Sequence, residues 1–400
     1  MSESLKLSTK APRRTSNLRQ YGILGALVMI VILFQTLTGG RLLLPGNINN
    51  LIQQNAYVLI LAVGMVIVII AGHIDLSVGS LAAMIGALVA LAMTQWGVPW
   101  YLAVLLALVF GAIVGAWQGF WVAFVGIPAF IVTLAGMLLF RGLTLVLLTG
   151  GTINALPTEY VGISTGWVPG ILGSIGEGRG SIDTLTLVAG VLAAVGLILQ
   201  QFLARVKRNR LGLPLEGATG FWLKNLLAAA AIIALAWQLA QYRGTPLILI
   251  ILAVVILAYS FVLGRTVFGR HVYAMGGNRF AAQMSGVKTR WVDFWIFVNM
   301  GVLSALAAVV TTARAGGAVA SAGQGYELDA IAAVFIGGAA VTGGVGTVIG
   351  AVIGALIMGV LNMGLSILSV DAAWQQVIKG LVLLLAVAFD VISKRRATGR

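Results

Sequence analysis

Apolar stretches recur along the chain at 21–39, 51–71, 76–95, 99–124, 128–149, 182–204, 222–241, 246–264, 292–313, 329–343, 347–369 and 374–393. Most are close to the ~20 residues that a helix needs to cross a hydrocarbon core. Short polar or glycine-rich segments separate them. The pattern predicts an all-α polytopic membrane protein with 10–12 transmembrane helices. Two places leave the count open. The stretch 329–343 is short and glycine-rich, which fits a half-span or broken helix, and the second and third stretches lie close together around 72–76. The polar, basic first 20 residues resemble the start of a signal peptide. No small-x-small cleavage site follows and further apolar stretches do, so 21–39 is expected to be a retained first helix.

Composition narrows the class. Hydrophobic residues make up 60% and charged residues 9%, against about 25% charged in a soluble domain. Such a chain cannot cover a water-facing surface, and a mean hydropathy of +1.04 agrees. There is no cysteine, which excludes disulfides, thiolate metal sites and cysteine nucleophiles. With only His73 and His271, a His-ligated metal or a Ser-His-Asp triad is disfavoured. No Gly-x-x-x-x-Gly-Lys-Ser/Thr loop occurs, so a Walker A site for ATP is absent. Gly344-Val-Gly346 lacks the spacing of a dinucleotide fingerprint. The expectation is a polytopic membrane protein that binds no metal or cofactor of its own, and not a soluble enzyme with an anchor.

The formal net charge is +14, from 25 Lys and Arg against 11 Asp and Glu. In a soluble chain this would raise nucleic acid binding. Here the charge sorts by loop. With the N-terminus inside, the segments 1–20, 205–224, 265–291 and 394–400 carry 5, 5, 5 and 4 basic residues. The outside loops hold Arg41, Arg179, Arg243 and Arg314, while Arg141 and Lys379 fall within spans. Cytoplasmic loops carry the excess of Lys and Arg, so both termini are expected in the cytoplasm and no nucleic acid partner is needed. The organisation is then a basic tail 1–20, one transmembrane domain 21–393 and a tail 394–400. The outer loop 150–181, rich in Gly, Thr, Ser and Pro, predicts an irregular cap. Val78-Gly-Ser-Leu81 and Met84–Leu88 echo Val345-Gly-Thr-Val348 and Val352–Leu356. An internal repeat and chance similarity among small apolar residues explain that echo equally well.

Four features carry candidate chemistry. The first is Gly72-His73-Ile74-Asp75-Leu76-Ser77-Val78-Gly79-Ser80. An acid between apolar runs is costly unless it is solvated, paired or capping. Asp75 suits the N-cap of the third helix, accepting N–H groups near Ser77 and Val78; it suits equally a break beside a pathway. His73 fits a structural hydrogen bond better than a proton relay. The second is 265–291, where Gly276-Gly277 ends one segment and Asn278 caps a short helix through Ser285. Phe280, Ala281 and Met284 share one apolar face of it, which either lies in the membrane interface or docks in a partner's groove. The third is glycine density across 316–354, including Gly337-Gly338 and Gly343-Gly344. It suits close helix crossings, whether as ordinary packing or between helices that move. The fourth is polarity within spans: Gln53, Asn55, Gln118, Arg141, Asn299 and Asn362, with Glu327 and Asp329 at an outer edge. Amides suit sugars, although any one of them more often joins two helices. Arg141 either snorkels or pairs within the bundle.

Asp75-Leu-Ser-Val-Gly79, the Gly276-Gly277-Asn278 loop, and Glu327-Leu-Asp329-Ala-Ile-Ala-Ala with Ile336-Gly-Gly338 and Gly343-Gly-Val-Gly346 resemble the permease subunit of bacterial ABC monosaccharide importers, the group for ribose, arabinose, galactose and xylose. The resemblance runs from about 45 to 390. Most of that family is shorter and similar to a ten-helix subunit. The extra length at about 170–245 brings two helices. With Ile131–Gly142 and Tyr242-Arg-Gly-Thr-Pro246, it makes the chain most similar to the D-xylose branch.

The resemblance implies a fold similar to the vitamin B12 importer's membrane subunit, in the bacterial inner membrane. It implies a homodimeric pore, a cytoplasmic ATPase subunit that uses ATP-Mg, a periplasmic sugar-binding protein and a small sugar as cargo. The stretch 269–286 would be the coupling helix, contributing Gly269, Arg270, Tyr273, Ala274, Gly276, Gly277, Asn278, Phe280, Ala281, Ala282, Ser285 and Gly286. Candidates for the pathway are Asn55, Asp75, Ser77, Gly79, Gln118, Asn299 and Asn362. Candidates for periplasmic docking are Arg314, Glu327 and Asp329. Two positions depart from the family pattern: Phe280 stands where an acid is usual, and His73 where Gly or Glu is usual. Docking would therefore lean on apolar burial. The alternatives are an ion-coupled secondary sugar carrier and a passive channel.

Overall fold

The computed structural model describes residues 15–149, 151–176, 181–213, 215 and 217–397. Positions 1–14 and 398–400 of the expected tails lie outside the described residues. Fifteen helices are described: α1 (Thr15–Leu37), α2 (Pro45–Ile70), α3 (Val78–Thr94), α4 (Trp100–Phe120, extended by a π turn, Trp121–Val125), α5 (Ala129–Leu148), α6 (Thr158–Thr165), α7 (Thr184–Arg210), α8 (Ala218–Ala240), α9 (Leu247–Arg265), α10 (Val267–Gly277), α11 (Arg279–Met284), α12 (Thr289–Ala315), α13 (Tyr326–Ile336), α14 (Val348–Ile367) and α15 (Ala372–Ala397). Eight are long and apolar enough to cross a membrane, and α1, α3 and α15 hold shorter apolar runs. The short α13 is the broken span that the glycine-rich stretch predicts. The protein is an all-α polytopic membrane protein.

Parts of the two expected basic tails, residues 15–20 and 394–397, are helical, within α1 and α15. The outer loop is also more than an irregular cap. Its α6 buries Tyr160 completely, with the phenol against Val309 O at 3.2 Å and Thr312 Oγ1 at 2.5 Å on α12. A large ring with its hydroxyl satisfied is a strong anchor. Thr152–Ile153 pairs antiparallel with Ala318–Val319.

The core is built around α2, whose residues from Ala56 to Ala71 are apolar on every side and, Tyr57 excepted, buried. A helix with no polar face belongs at the centre. α12 and α14 flank it. α7 and α8 form a peripheral hairpin, closed where Gly190 meets the Ala236 methyl, and α8 joins the bundle through α2. The two extra helices thus add to one edge.

The packing has an internal symmetry. α12 packs on α2, α3 and α4, and α2 packs on α12, α13 and α14; α3 lies on α5, and α13 on α15. Exchanging α2–α5 with α12–α15 maps each contact onto another. α2 and α12 run in opposite directions, so the copies are inverted, as in many transporters. This pairs α3 with α13. The sequence echo had matched α3 to the start of α14 and was therefore not the repeat.

Segments that charge assigns to one side of the membrane meet in space. On one side, Pro246 bridges Trp167, Tyr242 covers Gly46 and α6 sits on the end of α12. On the other, Gly344 N donates to Ile70 O at 2.8 Å, and Tyr273 reaches Gly346.

Candidate functional site

Two caps build the 265–291 loop: Asn278, which the sequence predicts, and Thr266, which it does not single out. Thr266 Oγ1 accepts from Gly269 N at 3.2 Å and starts α10. Asn278 Oδ1 accepts from Ala281 N at 2.9 Å and starts α11. Ser285 follows as the C-cap. Ala282 is buried inward, while Phe280 and Met284 are 71% and 75% exposed beside exposed Ala281. This open apolar face meets no partner among the described residues. Arg270, Ala274 and Gly286 are exposed nearby.

The other face of the loop is fixed. Tyr273 Oη donates to Gly346 O at 2.7 Å, and burial pushes its pKa above the ordinary tyrosine value, so the donor stays protonated at neutral pH. A Cβ on Gly269 would overlap the Leu263 carbonyl, and one on Gly276 would overlap the Ile70 carbonyl. Around Gly277 there is open space. The two adjacent glycines do different things: Gly276 permits a backbone contact, and Gly277 ends α10.

Arg279, the first residue of α11, forks onto Asp293 of α12, whose Oδ1 also meets His73 Nε2 at 2.9 Å. Asp293 is fully buried. Sequence reasoning passed over it. The signal was an acid at the second position of the apolar stretch 292–313. A cavity of about 490 Å³ opens here between Gly72–Ile74, Gly126–Phe130 and the starts of α11 and α12.

Beyond His73, the chain re-enters the bundle. Asp75 Oδ1 accepts from Ser77 N at 2.8 Å and Ser77 Oγ at 2.7 Å, and Gln118 Nε2 donates to Ser77 Oγ at 2.7 Å. The cap position of α3 is Ser77, so Asp75 folds the turn that precedes the helix and is not its N-cap. All three residues are buried. Only acceptor chemistry is asked of Asp75. Asp75→Asn is therefore expected to retain uptake within a few-fold, and Asp75→Ala to lose assembly, because the Ser77 donors stay buried and unmet. Purified yield measured beside transport checks this; equal loss in both variants would assign a role to the charge.

The loop after α12 re-enters from the opposite side. Gly323, at φ +72°, and Gly79 press backbone to backbone. Arg141 donates to Ala322 O at 2.7 Å and Ala320 O at 3.2 Å, so it pairs within the bundle. Asp329 is buried, accepting from Tyr57 Oη at 2.7 Å and Lys379 Nζ at 3.2 Å. It is consequently corrected from an outer-edge docking residue to a helix-joining one. Arg314 donates to Gln53 Oε1 at 2.9 Å and keeps part of its surface, as does Glu327. A second cavity, of about 350 Å³, lies between α13, α14 and α15, lined by Gln324, Glu327, Asp329, Gln376 and Lys379 among others. Gln324, Gln376 and Lys379 were not among the expected residues. Gln376 and Lys379 lie one turn apart on α15, and only folding brings them to Gln324, just before α13.

The other pathway candidates are joined to neighbouring helices. Asn362 Nδ2 donates to Asn55 Oδ1 at 3.2 Å, and Tyr259 donates to Asn299 Oδ1. Asn55, Gly79 and Asn362 are buried in these contacts.

A bundle of inverted halves, two re-entrant turns and an exposed inner helix together describe a solute-transporting subunit. The family described as branched-chain amino acid transport system, permease component, matches residues 47–387. The chain belongs to this family of permeases. The permease is 40% identical over 383 residues to the xylose transport system permease protein of Haemophilus influenzae, covering 96% of this chain and 99% of that protein. To the Escherichia coli protein of that name it is 38% identical, covering 96% and 94%. The ribose import permease protein of Bacillus subtilis is 38% identical over 367 residues, covering 92% of the permease and 91% of the relative. No solved structure matches, so no solved fold supports the expected likeness to the vitamin B12 importer's membrane subunit.

Proposed function

We propose that the permease is the membrane subunit of an ATP-driven, binding-protein-dependent importer of a monosaccharide, D-xylose being the cargo. The observation that carries this reading is the exposed α11 face joined to a bundle whose sequence has no Walker A loop. Xylose is favoured by relatives of that name aligned over nearly the whole chain, the extra α7–α8 hairpin included.

In this reading two copies of the bundle form the pore. A cytoplasmic ATPase subunit using ATP-Mg docks on Phe280, Ala281 and Met284. A periplasmic sugar-binding protein docks near Arg314 and Glu327. The distribution of basic residues supports placing both termini in the cytoplasm. The cavity of Gln324, Glu327, Gln376 and Lys379 offers the amide and charged groups that hydrogen-bond a sugar. Partners that bind one state of the bundle better than the other shift its equilibrium and so move the sugar.

The permease reconstituted alone is expected to give no xylose accumulation. Adding the ATPase subunit, ATP and the binding protein is expected to restore it. Accumulation by the permease alone under a proton or sodium gradient would support the ion-coupled carrier; leakage alone would support a channel.

A further inference from the structure

We propose that Arg279, Asp293 and His73 form a charged clamp that transmits movement of the coupling helix to the inner re-entrant turn, with Asp293 as its positioning residue. The proposal rests on α11 being the ATPase-docking helix.

Three separate elements meet at one carboxylate. Arg279 begins α11, immediately after the Asn278 cap. Asp293 sits one turn into α12. His73 lies in the segment that leaves α2 and re-enters the bundle. The Arg279 guanidinium forks onto both carboxylate oxygens, and His73 Nε2 meets Oδ1 at 2.9 Å. Arg279 is partly exposed at 43%, His73 at 15%, and Asp293 not at all. The cluster therefore spans from solvent to the interior. From His73 the route continues through covalent backbone: two residues on, Asp75 holds Ser77, and Ser77 holds Gln118 of α4. The His73 ring also lies 5.9 Å from that of Phe297, one turn further along α12.

An alternative of simple adhesion asks less of the geometry. α10 is already seated by Tyr273 on Gly346 and by Gly276 on Ile70, so the loop needs no third attachment to stay folded. The attachment through Asp293 is different in kind. It shares α11 with the Gln283–Thr289 hydrogen bond at 2.9 Å, but of the two it is the one that continues to the turn carrying Asp75, while Phe280 and Met284 on the same helix would receive the push. A buried charge-assisted fork is short and directional, and breaking it leaves a buried charge unpaired. The turn thus has to follow the helix or lose the clamp.

The test uses the reconstituted complex of permease, ATPase subunit and binding protein, with xylose as the probe. ATPase capture by the permease is measured beside xylose moved per ATP hydrolysed. Arg279→Gln and His73→Gln are expected to retain capture and to lower xylose moved per ATP by about tenfold, within the usual range of allosteric coupling. The triple variant H73Q/R279Q/D293N leaves no unpaired buried charge and is expected to fold with the same loss. In a cycle built on D293N, which leaves no buried carboxylate, adding H73Q and R279Q is expected to cause no further loss, because all three break one route. Unchanged xylose per ATP in the folded triple variant, or losses that multiply beyond those of D293N alone, would overturn the clamp. Phe280→Asp separates the underlying reading: if capture survives it, docking on α11 is wrong, whatever the clamp variants do.

Discussion

Gly276→Ala is expected to abolish xylose uptake, whereas Gly277→Ala is expected to leave the permease as stable as before. The two residues are neighbours in sequence at the end of one short helix, yet their surroundings are opposite. A methyl group on Gly276 would overlap the carbonyl oxygen of Ile70. That oxygen belongs to the end of the central helix and already accepts from Gly344 N at 2.8 Å. No rotamer change can relieve a clash with backbone. α10 would have to lift, which also draws Tyr273 away from Gly346. Overpacking costs about 1–3 kcal/mol where side chains can adapt. Two fixed backbones put this case at the upper end. At Gly277 an added methyl meets nothing within 4 Å, so a change of about 0.5 kcal/mol or less is expected. Thermal unfolding of both variants in detergent, with uptake by the reconstituted Gly276→Ala complex, checks the pair. Normal uptake by Gly276→Ala would remove the backbone contact from the mechanism.

Lys379→Met is expected to destabilise the bundle by about 3 kcal/mol, and adding Asp329→Asn to recover most of that loss. Asp329 is buried between Tyr57 of α2 and Lys379 of α15. Removing one partner of a buried ion pair costs about 3–5 kcal/mol, because the other charge is left without compensation. Lys379 keeps 26% of its side chain exposed, which moves the figure to the low end. Removing both charges deletes the penalty together with the attraction. The Tyr57 hydroxyl still finds an acceptor in the Asn carbonyl. Unfolding midpoints for the wild type, both single variants and the double variant provide the measurement. A double variant no more stable than Lys379→Met would show that the pair, not the unpaired charge, supplies the stability.

Most of the fold was legible in one dimension. A helix in lipid satisfies its own backbone, so each apolar stretch is a span irrespective of what it packs on, and the eleven apolar helices follow the stretches closely. The Asn278 cap was legible because it acts locally, on the amide three residues away, whereas the matching Thr266 cap was missed. Asp75 was read as the cap of α3 or as a break, and the cap is Ser77 instead, since the choice depends on where α3 starts. Gly111, Gly115 and Gly119 on α4 went unnoticed although their four-residue spacing was a signal. They bring α4 backbone to backbone with α12 at Gly301, Phe297 and Phe294.

Spans were therefore properties of the linear chain, because hydrophobic length acts locally on each segment. What needed the folded bundle was every pairing across it. Asp293 looks like an ordinary acid until His73, 220 residues away, comes to lie beside it. Gly276 looks like Gly277 until Ile70 arrives, and Asp329 looks exposed until Tyr57 and Lys379 enclose it. Burial and partner choice depend on which helices pack together, and nothing in the local spacing of residues specifies that.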